Sequence, residues 1–101
     1  MSEEGDVSFK ITFRNFQSSP ALSEYIKKRF LSVFRRFHDK SLVVNVTLNK
    51  KNLCIGEVSA HFPNFTLVAS IEDKDFYLVV DKLKNIIREQ LRRHKEKLIN
   101  R

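Results

Sequence analysis

Three histidines, a single cysteine and a C-terminal run of cations are the residues of this 101-residue chain whose types could do chemistry. His38, His61 and His94 show no ligand spacing among them, and His38-Asp39 has no nucleophile motif to serve. Ordinary helix-end chemistry accounts for that pair. There is no glycine-rich phosphate loop, zinc pattern or nucleophile elbow. Cys54 reads as a small buried hydrophobe on a strand, and a lone cysteine excludes an internal disulfide. These absences point away from an enzyme, a metal site or a cofactor.

The cations are the stronger signal. The net charge is +7, and residues 82–101 carry +6 of it, residues 1–40 carry +3, and residues 41–81 carry −2. The ending "LRRHKEKLINR" (91–101) alone holds five Lys or Arg. Charge clustered this way favours a polyanionic partner such as nucleic acid. The competing reading is a frayed, solvated tail.

Which reading holds depends on the elements that position the charges. "VSFKITFR" (7–14) alternates strictly, placing Val7, Phe9, Ile11 and Phe13 on one face of a half-buried strand. Ser19 and Pro20 then offer an N-cap and a first helical residue. Leu22, Ile26, Phe30, Val33 and Phe37 recur at helical spacing behind them. Three further strands follow: 41–49, with Leu42, Val44, Val46 and Leu48 inward; 53–62, with Val58, Ala60 and Phe62 inward; and 65–72, with Phe65, Leu67, Ala69 and Ile71 inward. Short connections, including a Pro63-Asn64 turn, make hairpins the economical topology. Asp73 offers a cap for a final helix whose apolar line runs through Phe76, Val80, Leu83, Ile87, Leu91 and Leu98, with His94 on the same line.

The expected fold is therefore α+β, in the order β-α-β-β-β-α, with a four-stranded, antiparallel-rich sheet and both helices packed on one face. Residues 1–101 read as one domain. Forty-two per cent of the residues are apolar, which suits a real core rather than disorder. The acidic N-terminus lacks a signal-peptide layout, and no apolar run reaches the roughly 18–20 residues that span a bilayer. A cytoplasmic location without membrane contact is expected.

The helical register persists to the end of the chain, so the charges fall on defined flanks. At 100° per residue, Lys84, Arg88, Arg92 and Lys95 form one stripe, and Lys82, Arg93 and Lys97 form a second on the opposite flank. In the first helix Arg29 and Arg36 lie one heptad apart at the edge of the apolar face, with Lys28 and Arg35 further out. Each cation singly suits a snorkelling edge that shields the core. Together they suit a groove that tracks a phosphate backbone. Tyr77, on the flank of Lys84, is either a stacking platform or a rim residue against the first helix.

Four segments in order, "RNFQSSPALSEYIKKRF", "GEVSAHFPNFTLVAS", "DFYLVVDKL" and "QLRRHKEKL", resemble the ribosome hibernation-promoting factor family, also called ribosome-associated inhibitor or ribosomal subunit interface proteins. The third is similar to that family's Asp-x-Tyr-x-x-x-Asp signature, here Asp75, Tyr77 and Asp81. The resemblance covers nearly the whole chain from about residue 9. It implies the β-α-β-β-β-α fold, no catalysis and no small-molecule substrate. It also implies binding to the small ribosomal subunit, in the channel of messenger RNA and the A- and P-site transfer RNAs, so that idle ribosomes are silenced in stress or stationary phase. A short form, without a C-terminal dimerisation domain and monomeric off the ribosome, is the expectation. Arg29, Arg36, Arg93, Lys95 and Lys97 match the family's contact positions. Ile86 and Glu89 depart from it, standing where the family commonly has basic residues. Two other classes fit more loosely: a generic double-stranded RNA-binding domain, which shares the α-β-β-β-α core, and a sigma-factor-modulating protein-interaction module, an older label for the same family.

Overall fold

The computed structural model describes residues 7–35 and 42–99, with side chains as far as His94. The elements run β1 (Val7–Arg14), α1 (Pro20–Phe34), β2 (Leu42–Lys50), β3 (Cys54–His61), β4 (Thr66–Asp73) and α2 (Phe76–Ile99). The sheet order is β1-β2-β3-β4. β1 and β2 are parallel, because α1 makes the crossover between them, while β2-β3 and β3-β4 are antiparallel hairpins. The order β-α-β-β-β-α is the one the hydrophobic periodicity predicts.

Register aligns the inward residues in rows across the sheet: Phe9, Val44, Ala60 and Leu67; Ile11, Val46, Val58 and Ala69; Phe13, Leu48, Gly56 and Ile71. Two of the rows narrow from β2 to β3, from Val44 to Ala60 and from Leu48 to Gly56, and α2 settles against Gly56. A Cβ on Gly56 would run into Val79 Cγ1 and stand 2.9 Å from Leu83 Cδ1, so the bare backbone there is what lets the helix approach. The central residues Ile26, Phe30, Phe34, Val44, Val46, Leu48, Val79, Val80, Leu83 and Ile87 are fully buried. Each contributes about 1.5–3 kcal/mol of transfer free energy.

The helix ends are set locally. The Ser19 hydroxyl accepts the Leu22 N–H at 3.1 Å with Pro20 behind it, as the sequence predicts. α2 is capped by Asp75 rather than Asp73: the Asp75 carboxylate accepts the Tyr77 N–H at 2.8 Å, and its carbonyl accepts the Val79 N–H. Asp73 instead ends β4 and serves an ion pair described below. The buried stripes are also wider than a single line, since Phe34 and Val79 join them. Phe37 and the His38-Asp39 pair lie outside the described residues, as does the side chain of Leu98. Asn15, at φ 66°, turns the chain out of β1 and donates to Asn49 Oδ1 at 2.7 Å.

Candidate nucleic-acid interface

The layer of two helices carries the candidate site, and the seam between them is built from the residues that close it. The Tyr25 hydroxyl donates to Asp81 Oδ1 at 2.8 Å and accepts from Arg29 Nη2 at 3.0 Å. Arg29 Nε lies 3.2 Å from the same Asp81 oxygen, but its N–H is not directed at it, so the contact is an ion pair and not a hydrogen bond. The Arg29 guanidinium sits 5.0 Å from the Tyr25 ring centroid, and Tyr77 meets that ring edge-on at 4.8 Å. The Tyr25 hydrogen bond, and then the Asp81 charge, push the Arg29 pKa above its already high value, so the group is a permanent cation.

This clasp fixes which flank of α2 faces α1. Tyr77 and Asp81 touch α1, and Lys84, Arg88 and Arg92 continue the same side at three- and four-residue steps. Lys84 is half-buried and has no carboxylate partner among the described residues. Arg88 donates to Asn85 Oδ1 at 3.3 Å, and Arg92 pairs with Glu89 at 2.5 Å.

The other flank leads elsewhere. Lys82 Nζ donates to Asp73 Oδ2 at 2.5 Å, tying α2 to the end of β4. Gln90 Nε2 donates to the Val68 carbonyl of β4 at 3.0 Å, and Arg93 lines a cleft with Leu67, Gln90 and His94. The basic residues expected on α2 therefore do not line one groove with α1. Lys84, Arg88 and Arg92 border the seam with Arg29, while Lys82 and Arg93 overhang the β4 edge. Arg36 lies outside the described residues, as do the side chains of Lys95 and Lys97.

Two carboxylates temper the field. Glu89 lies between Arg92 and Arg93, the latter at 3.4 Å, and the Arg92 hydrogen bond is the main cause that holds its pKa below the ordinary range. The Asp73 carboxyl is likewise held low, first by Lys82 and then by the Lys74 backbone N–H, at 2.6 Å. Tyr77 packs on α1 through one edge while remaining 41% exposed, so a rim position leaves ring surface available.

The opposite face of the sheet is chemically different. Its concavity of about 420 Å³ is lined by Asn45, Thr47, Ser59, Val68 and Ser70, with Glu57 as the charged residue. A neutral-to-acidic hydroxyl surface is a poor seat for a polyanion, so this hollow is not the candidate site. On the same face His61 stands 3.2 Å from both Ser59 Oγ and Thr66 Oγ1, and both ring nitrogens are thereby satisfied. Among the described residues no group of three His, Cys, Asp or Glu could hold a metal, and no helix is long and apolar enough to cross a membrane. Cys54 is buried.

Sequence reasoning missed the clasp, although Tyr25 and Arg29 stand at i,i+4 and Asp81 closes the Asp-x-Tyr-x-x-x-Asp pattern. It also missed a stack of Phe62, Phe65 and His94, for which the only sequence sign is two phenylalanines flanking a Pro-Asn turn.

Residues 9–99 match the family model described as Sigma 54 modulation protein / S30EA ribosomal protein. A ribosome hibernation promoting factor from Salmonella typhimurium is 29% identical over 92 residues, covering 91% of this chain and 97% of the relative. A ribosome hibernation promotion factor from Bacillus subtilis is 28% identical over 95 residues, and there the match spans 50% of the relative's length. Among solved structures, the N-terminal domain of Thermus thermophilus Protein Y superposes with a TM-score of 0.77 at 24% identity, over 84% of this chain and 94% of that one, which shows the shared fold.

Proposed function

The chain belongs to the Sigma 54 modulation protein / S30EA ribosomal protein family, and on that premise we propose that it is a non-catalytic ribosome hibernation factor. It binds the small ribosomal subunit in the channel of messenger RNA and of the A- and P-site transfer RNAs, acting in the cytoplasm as a monomer. Translation is inhibited by occupancy: the domain docks on ribosomal RNA phosphates and excludes the other RNAs, holding ribosomes idle under stress or in stationary phase. The observation that carries this reading is the concentration of cations on the helix layer, against Lys10 and Arg14 alone on the outward side of β1. Arg29, Lys84, Arg88 and Arg92 border the seam, and Lys82 and Arg93 stand on the far flank, while the concavity of the sheet's other face offers Glu57.

The proposed contacts are Arg29, Arg36, Lys82, Arg88, Arg92, Arg93, Lys95 and Lys97, with Tyr77 at the rim. Arg29 is oriented by Asp81 and Tyr25 before any phosphate arrives, which lowers the ordering cost of binding. A duplex-RNA domain is the weaker reading. Such domains usually aim lysines from the start of the last helix at phosphates, whereas α2 here opens beside Glu72, Asp73 and Asp75.

Co-sedimentation with small subunits tests the proposal. If about six phosphates are neutralised, affinity falls with salt at a log–log slope of roughly −4 to −5. Absence of the protein from small subunits at moderate salt would overturn it. Equal affinity for a plain RNA duplex would favour the generic binder.

A further inference from the structure

An aromatic ladder climbs the end of the molecule where β4 meets α2. Phe34 meets Phe62 edge-on at 5.9 Å, Phe62 stacks on Phe65 at 4.5 Å and 8°, and Phe65 stacks on His94 at 3.8 Å and 25°. Phe62 is buried, but Phe65 and His94 are only half-buried, so the ladder runs from core to surface. Its last rung, His94, lines an open cleft of about 240 Å³ together with Leu67, Gln90 and Arg93. Gln90 is fixed there by its bond to the Val68 carbonyl, which commits its Nε2 and leaves Oε1 as an acceptor. Arg93 is 70% exposed, and its one described ion pair, to Glu89, is 3.4 Å long.

We propose that this cleft takes one unpaired nucleobase of an RNA strand, stacked on His94 as the next rung, with the adjoining phosphate on Arg93. The proposal rests on the ribosomal RNA reading above and names how one part of that RNA is held. The chemistry of the lining selects this occupant. A flat ring terminating an existing stack suits a base face, an apolar wall at Leu67 excludes water from it, and an amide oxygen meets the amino or imino hydrogens of its edge. A carboxylate from a protein partner would satisfy Arg93 but leave the ring unused. The cleft lies on the β4 side of α2, so the base is held away from the strand of phosphates that the α1-α2 seam would track.

The test uses the full chain, small subunits and a hexa-uridylate RNA with 2-aminopurine at its centre, where weakly stacking neighbours leave the probe bright. Stacking on His94 quenches the 2-aminopurine fluorescence. His94→Leu, which keeps volume but removes the ring, weakens hexamer binding by roughly 5- to 150-fold and abolishes the quenching. His94→Tyr restores both, which a merely structural role for His94 would not produce. Circular dichroism confirms that each variant is folded. If the chain binds small subunits but His94→Leu leaves hexamer affinity and quenching unchanged, the base site is wrong and the ribosome reading stands. If the quenching follows His94 but small subunits are not bound, the ribosome reading fails and the base site stands. Failure of the wild type to bind either RNA overturns both.

Discussion

Substituting Gly56 with alanine tests whether the approach of α2 to β3 is set by one missing methyl group. The new Cβ would overlap Val79 Cγ1, stand 2.9 Å from Leu83 Cδ1 and 3.3 Å from Leu48 Cδ2. Val79, Leu83 and Leu48 are all fully buried, so none can swing into solvent, and the helix itself must shift. Overpacking of this kind costs about 1–3 kcal/mol. At roughly 4–8 °C per kcal/mol for a domain near this size, the melting temperature should drop by about 4–24 °C. The sharper experiment is a double-mutant cycle by urea unfolding. Val79→Ala alone removes two buried carbons, at about 1.6 kcal/mol, but it also clears the space the new Cβ needs. The double variant should therefore be less destabilised than the sum of the singles by about 1 kcal/mol or more. Additive losses would refute the claim that Val79 is what Gly56 accommodates. A Gly56→Ala change within about 0.5 kcal/mol of wild type would refute the close approach altogether.

Three other perturbations probe the seam and the charges. Tyr25→Phe deletes the hydroxyl that links Asp81 to Arg29 and should lower stability by about 1 kcal/mol in urea unfolding. An unchanged midpoint would mean ring packing alone closes the seam. Asp73 and Glu89 have pKa values depressed in the folded state, so the unfolded chain binds more protons as pH falls. The stability they contribute is present above the ordinary carboxylate range and is lost on acidification through their lowered values. Asp73→Asn should flatten that part of a urea-midpoint profile against pH, and an unaltered profile would show the Lys82 pair to be too solvated to matter. Lys84→Glu with Arg88→Glu should weaken small-subunit binding and make its salt dependence shallower, as measured by co-sedimentation across a salt series. An unchanged slope would remove the seam flank from the interface.

The strands were legible because alternation reports directly on which face is covered. Phe9, Ile11, Val44, Val46, Val58 and Ala60 needed no tertiary information to be assigned inward. Helix starts were legible only where one cap candidate stood alone: Ser19-Pro20 was unambiguous, but Asp73 and Asp75 compete within three residues, and the choice depends on Lys82 reaching back for Asp73. A one-dimensional stripe also underestimates a helix that touches both a sheet and a second helix. That is why Val79 and Phe34 join the buried set. The described cations of α2 fall on two flanks, yet a wheel cannot say what lies beside each flank. The Tyr25-Asp81 clasp turns one toward α1, and the Gln90-Val68 bond hangs the other over β4. The Phe62-Phe65-His94 stack was hidden for a related reason: it joins a turn to a helix nearly thirty residues away, and no local pattern announces such a meeting.

The central claim is that the charged ending of α2 is a ribosome-binding surface and not a solvated helix edge. Reversing Arg93 and Lys97 to Glu, then measuring co-sedimentation with small subunits at moderate salt alongside circular dichroism, tests it most directly. Loss of binding from a variant that keeps the wild-type fold is the outcome expected. Binding retained at wild-type affinity would contradict the account.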